Sequence, residues 1–173
     1  MIDAFSTDKT VEICERLGAK VYLEKWIDDF SHAKNIMISK CTHPWIFTLD
    51  ADEHLEGEDL DLIFRAISTP EENEIVAWEF TRKNHYPLHD PDSPYFGAPF
   101  FPDRQIRLFQ RRKEIFYSGE VHEGLLQAIE SEKIGFVGRI PVCIHHHLFR
   151  GDKEAFEKPK NEYYSMIQKR STP

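Results

Sequence analysis

Apolar positions in the first half of the chain switch between two periods. In FSTDKTVEICERLGAK (5–20), Val11, Ile13, Cys14 and Leu17 share a helix face, Ser6, Thr7 or Asp8 can cap it, and Gly18 ends it. AKVYL (19–23) alternates as a short strand does, and FSHAKNIMISK (30–40) returns to the helical period with Phe30, Ala33, Ile36, Met37 and Ile38 facing in. PWIFTL (44–49) reads as a strand, residues around 57–67 as a helix, and EIVAWEFTR (74–82) as a strand again. This alternation predicts a mostly parallel sheet with helices on its faces.

The second half has a different pattern. NHYPLHDPDSPYFGAPFFPD (84–103) is rich in proline and aromatics and has no period, which in a compact domain points to a functional loop. RQIRLFQ (104–110), Val121–Gln127 and IPVCIHHHL (140–148) read as strands, and Asp152–Lys169 as a helix that Pro159 starts or kinks. The organisation is one domain of 173 residues, divided into 1–82, 83–150 and a C-terminal helical stretch, 151–173.

Composition narrows the class. With 40% hydrophobic and 30% charged residues the chain is globular, and no apolar run is long enough for a transmembrane helix. Cys14, Cys41 and Cys143 are too scattered for a disulfide framework or a CxxC site, and read as reduced thiols in a cytoplasmic protein. A net charge of −8 argues against nucleic acid as a partner. The charge is uneven, however: residues 50–61 carry seven acids and residues 104–113 five bases. A negative pocket facing a positive one suits a metal-bound phosphate ester.

The candidate chemistry centres on WIFTLDADEHL (45–55), where an apolar strand runs into Asp50, Asp52 and Glu53. Ligands of open α/β sheets bind beyond the carboxyl ends of the strands. Two carboxylates at i and i+2 in extended backbone point the same way and can share Mg2+ or Mn2+ carrying a diphosphate. Glu56, Glu58, Asp59 and Asp61 are better explained as charges favouring the next helix N-terminus. Asp3, also at a strand end, can accept from a nucleobase or ribose, or cap the following turn. His145, His146 and His147 alternate faces, so His146 points away from the other two.

IDAFSTDKTVEI (2–13), WIDDFSHAKN (26–35) and WIFTLDADE (45–53) together resemble the nucleotide-sugar glycosyltransferases of family 2. So do RQIRLFQRR (104–112), FYSGEVHEGL (116–125) and CIHHHLF (143–149), in the same order. The resemblance implies a glycosyltransferase-A fold, a doubly wound α/β domain with a mostly parallel sheet and flanking helices. It also implies transfer of a sugar, with inversion, from a nucleoside diphosphate sugar (UDP favoured) to a glycan, lipid-linked or peptide acceptor. On that basis Asp3 contacts the base, Asp50 the ribose or metal, and Asp52 the Mn2+ or Mg2+ and diphosphate. Lys34 and Asn35 lie near the nucleotide, Arg107 approaches phosphate or is a plain surface arginine, and His146 is the added metal ligand with His145 as runner-up. Glu123 is the base for the acceptor hydroxyl, Glu120 its alternative, and His122 an acceptor-side contact. Tyr95, Phe96, Phe100 and Phe101 stack on acceptor sugars or pack beneath the loop.

Two departures from the family pattern stand out. Phe5 and Lys9 replace small or glycine residues, and the chain opens at what reads as the end of a strand, predicting an N-terminally truncated domain. A partial domain would bind nucleotide weakly or pair with another chain, a second copy included, through an exposed sheet edge. The resemblance is also compatible with a cytoplasmic enzyme peripheral to the inner membrane face. A phosphoenzyme hydrolase is disfavoured, because Ala, Asp, Glu and His follow Asp50 where such a site wants Ser or Thr.

Overall fold

A computed structural model describes residues 1–68, 74–85, 103–119, 124–125, 129 and 134–147. The elements run β1 (Ile2–Asp3), α1 (Thr10–Arg16), β2 (Tyr22–Leu23), α2 (Phe30–Lys40), β3 (Trp45–Phe47), β4 (Glu53–His54), α3 (Asp59–Ser68), β5 (Ile75–His85), β6 (Asp103–Gln110) and β7 (Phe136–His147). Tyr95, Phe96, Phe100 and Phe101, the strand expected over 121–127 apart from Gly124 and Leu125, and the helix expected over 152–169 lie outside the described residues.

β1 and β2 pair in parallel, and the other strands form a sheet in the order β3-β6-β5-β7-β4. The α/β class with flanking helices is as the sequence predicts, while the pairing inside it is mixed. β5 and β7 are parallel; β3–β6, β6–β5 and β7–β4 are antiparallel. Helical crossovers enforce parallel pairing only where the sequence has a helical period, and residues 103–147 lack one. β4 has no counterpart in the periodicity, because it is short and sits inside the acidic turn. Residues 48–52 therefore carry the chain from β3, at one end of the strand order, to β4 at the other.

Two apolar clusters pack on the sheet. Ile46, Val76, Ala77, Phe109, Ile115, Tyr117, Leu125 and Ile129 form one, with Ile38 of α2 and Cys41 packed against it. Ile63 of α3 joins Phe80, Leu108, Ile140, Val142 and Ile144 in the other. Leu108 and Phe109 show the period-2 logic, adjacent residues on β6 feeding opposite clusters.

The helix ends follow their sequences. Asp29 caps α2, its carboxylate accepting from the His32 N–H at 2.9 Å. Asp8 accepts from the Thr10 N–H at 2.9 Å, and Gly18, at φ 85°, closes α1 by donating to the Glu15 carbonyl. The inward face expected for α1 is not buried: Ile13 is 40% and Leu17 78% exposed. With seven residues and no buried side chain, α1 has little tertiary packing among the described residues. The three cysteines are free and half-buried. No helix among the described residues is long and apolar enough to cross a membrane.

Gly138 pairs with Trp78 across β5 and β7. A Cβ on residue 138 would stand 2.7 Å from two indole carbons, so the ring lies directly over the glycine. Gly138→Ala is expected to destabilise the chain by about 1–3 kcal/mol through overpacking. Urea unfolding followed by tryptophan fluorescence measures this, and a loss below about 0.5 kcal/mol would show that the indole moves aside without strain.

Candidate active site

β1 brings Asp3 to the start of the FSTDKT turn, where its carboxylate is buried. The Ser6 N–H donates to Oδ1 at 2.8 Å and the Ser6 hydroxyl to Oδ2 at 2.7 Å. These two donors hold the Asp3 carboxyl below its usual range. Asp3 thus orders its own turn, in which Phe5 adopts a φ of 63°.

Asp50 follows β3 and is held between two cations. Lys34 Nζ of α2 lies 3.7 Å from Oδ1, and Arg107 Nη2 of β6 donates to Oδ2 at 2.9 Å. Burial alone would raise the Asp50 pKa, but the charges of Arg107 and Lys34 outweigh it and leave the carboxyl below its usual range. Arg107 is 4% exposed, so it is no surface arginine. Its Nη2 also pairs with Oε1 of Glu53, a side chain with no exposure, which Arg82 approaches at 3.4 Å. Burial works against the Arg107 charge, but Asp50 and Glu53 more than compensate and raise its pKa. Arg107 Nε is buried without a hydrogen-bond partner among the described residues. Glu53 Oε2 accepts from the Asp50 N–H at 3.0 Å, which fixes the DADE turn from within.

Asp52 faces the other end of this turn. Its Oδ2 lies 3.3 Å from His146 Nε2 on β7. On the far side of the ring, Nδ1 lies 2.7 Å from the Asn84 Oδ1 of β5. That oxygen only accepts, so Nδ1 carries the proton and donates, and in the neutral ring Nε2 presents a lone pair to Asp52. Two acceptors so close need a proton or a cation between them. Strand alternation sends His145 and His147 to the opposite face, as expected for three consecutive histidines.

A brace behind Asp50 was not foreseeable from motif spacing. Asn35 donates from Nδ2 to the Tyr117 carbonyl at 2.9 Å and accepts the Tyr117 N–H at 2.8 Å. Lys34 Nζ sits 5.1 Å from the centroid of the Tyr117 ring, and the phenol oxygen is 3.3 Å from Thr48 Oγ1. Burial raises the pKa of this phenol and keeps it neutral. Asn35 therefore positions Lys34 by clamping residue 117 to α2. Glu120, His122 and Glu123 lie outside the described residues.

Asp50 and Asp103 are both held below the ordinary carboxylate value of about 3.9. In Asp103, burial pushes up while hydrogen bonds from Gln105 and Arg82 pull down more. A carboxyl depressed in the folded state stabilises the fold above its unfolded pKa, and that contribution is lost as pH falls through its folded pKa. The melting temperature is therefore expected to fall from about pH 4 downward, and Asp50→Asn to flatten that part of the profile. Circular dichroism melts between neutral pH and pH 3 test this; an unchanged acid limb in Asp50→Asn would remove Asp50 from the linkage.

The chain can now be set beside known proteins. It is 28% identical to an uncharacterized glycosyltransferase of Rickettsia conorii over 143 residues, 81% of this chain and 48% of that one. It is 26% identical to the SPbeta prophage-derived glycosyltransferase SunS of Bacillus subtilis over 147 residues, 82% of this chain and 32% of the other. The chain thus spans half or less of the length of these relatives. Residues 1–349 of S. aureus TarS share its fold, with a TM-score of 0.56 and 13% identity over 96% of this chain and 53% of that one. The model of the family described as glycosyl transferase family 2 matches residues 1–122, the stretch that carries Asp3, Lys34, Asp50, Asp52 and Arg107, and the chain belongs to that family.

Proposed function

We propose that this domain transfers a sugar, with inversion, from a nucleoside diphosphate sugar, UDP-linked by preference, to a hydroxyl of a glycan, lipid-linked or peptide acceptor. The observation that carries the metal-dependent reading is the Asp52–His146 pair, a carboxylate oxygen and an imidazole nitrogen 3.3 Å apart, with the other ring nitrogen held by Asn84. A carboxylate and an imidazole fit Mn2+ or Mg2+, which would bind at Asp52 and His146 and act there as a Lewis acid on the departing diphosphate. Asp50 has Lys34 on one oxygen and Arg107 on the other. That engagement favours a role toward the ribose, with Lys34 near the nucleotide, over direct metal ligation. Arg107, buried between two carboxylates, positions Asp50 and Glu53. Asp3 would receive the base at the rim of its turn. Glu123, or Glu120, takes the proton of the acceptor hydroxyl as the anomeric carbon is attacked, and His122 contacts the acceptor.

Calorimetric titration with UDP tests the reading. Binding is expected to require Mn2+ or Mg2+ and to disappear in Asp52→Ala. Absence of UDP binding with either metal, or binding indifferent to Asp52→Ala, would overturn it.

A further inference from the structure

The face of β7 that looks away from Asp52 carries a second cluster of metal-ligating side chains. His145 and His147 of β7 stand between His85 of β5 and His54 of β4, and each pairs with both flanking rings. The four ring-to-ring centroid distances are 4.9 to 5.0 Å, with interplanar angles of 13° to 27°. This is a consequence of register: His54 pairs with His145 and His85 with His147, so alternation puts all four on one face.

The nitrogens are already sorted. His145 Nδ1 lies 2.7 Å from His85 Nε2, and His54 Nδ1 lies 3.1 Å from His147 Nε2. In each pair one ring donates and the other accepts. That leaves His145 Nε2 and His54 Nε2 outside these two pairs, and Glu56 Oε1 stands 3.8 Å from the latter. The donor atoms of His54, Glu56 and His145 all lie within 4.8 Å of one another. Donors on a zinc ion with Zn–N bonds of about 2.0–2.1 Å are about 3.3 Å apart, so small rotations of the exposed His54 and Glu56 close the set. A ligating histidine whose other nitrogen is held by a hydrogen-bond partner is the usual arrangement of a protein metal site. Here both candidate ligands have one. Lys83, the register partner of His145, is the neighbouring cation on this face.

We propose that His54, His145 and Glu56 bind a divalent transition-metal ion of the zinc class, with His85 and His147 as positioning residues. Two imidazoles and one carboxylate select such an ion over Mg2+, and leave a fourth position for water or a partner's donor. This centre lies on the opposite face of β7 from His146 and is independent of the Asp52 reading.

The test uses the whole chain without a histidine tag, carrying Asp52→Asn so that the other face is disabled. Co2+ is titrated and followed by its visible ligand-field absorption, then displaced with Zn2+. One equivalent of nitrogen- and oxygen-ligated Co2+ is expected. His54→Gln, on an exposed edge residue that the fold tolerates, should weaken binding at least about tenfold, and His147→Phe by about 10–100-fold. Far-UV circular dichroism establishes that each variant is folded. Absence of the Co2+ spectrum in Asp52→Asn, a thiolate charge-transfer band, or unchanged affinity in His54→Gln would each overturn the proposal.

Discussion

An Arg107→Met chain is expected to be less stable than the parent by about 3–5 kcal/mol, because it strands buried carboxylate charge. Glu53 has no exposed side-chain surface, and Arg107 Nη2 is its close cation; Arg82 stays at 3.4 Å. Asp50 would keep Lys34 at 3.7 Å, so most of the loss belongs to Glu53. Arg107→Lys is expected to recover only part, since the shorter side chain cannot bring its ammonium to where Nη2 meets both carboxylates. Glu53→Gln in the Arg107→Met background should restore stability relative to the single variant, because it removes the unpaired charge. Equilibrium urea unfolding of these proteins together with the Glu53→Gln single variant measures the coupling. A cost below about 1 kcal/mol for Arg107→Met would mean that water reaches Glu53 and that the pair does not hold the DADE turn.

This network shows where sequence reading stops. Asp50 and Asp52 are legible as a strand-end carboxylate pair, because the apolar run before them has a clear period and the acids end it. Glu53 is not, since its burial depends on β4, a two-residue strand hydrogen-bonded to a partner more than ninety positions away. Arg107 has the same problem: a basic residue in a polar–apolar strand reads as surface, and only pairing with Asp50 and Glu53 makes it interior. Asn35 and Tyr117 meet at a separation of 82 residues through hydrogen bonds between the Asn35 amide and the Tyr117 backbone, which no local pattern encodes. The stop of α1 at Gly18 was readable because it is local. The face of α1 was misread for the converse reason: periodicity shows which residues could be buried, not whether a surface exists to bury them. The three adjacent histidines sit between these cases. Alternation separates His146 from its neighbours, but the register of β4, β5 and β7 supplies Asp52, Asn84, His54 and His85.

That register makes His146 and Asn84 the sharpest test of metal-dependent nucleotide binding. His146→Ala is expected to raise the Mn2+ concentration needed for half-maximal UDP binding by about 10–100-fold or more. Asn84→Leu removes the acceptor for Nδ1–H. The ring can then place its proton on Nε2 and donate to Asp52 at the position a metal would take. A loss of about 10–100-fold in Mn2+ affinity is expected there too, although Asn84 touches neither metal nor nucleotide. Asn84→Asp keeps an acceptor opposite Nδ1 and should bind Mn2+ within a few-fold of the parent, since a carboxylate holds the same tautomer. A purely structural role for Asn84 predicts the reverse, because a buried-side carboxylate is harder to accommodate than an amide. Titrating Mn2+ at fixed UDP by calorimetry, with thermal melts for each variant, separates the two. If Asn84→Leu binds as the parent does while His146→Ala fails, the ring ligates without needing its tautomer fixed. If His146→Ala also binds normally, His146 is not a ligand and Asp52 must find its metal partners elsewhere in the turn.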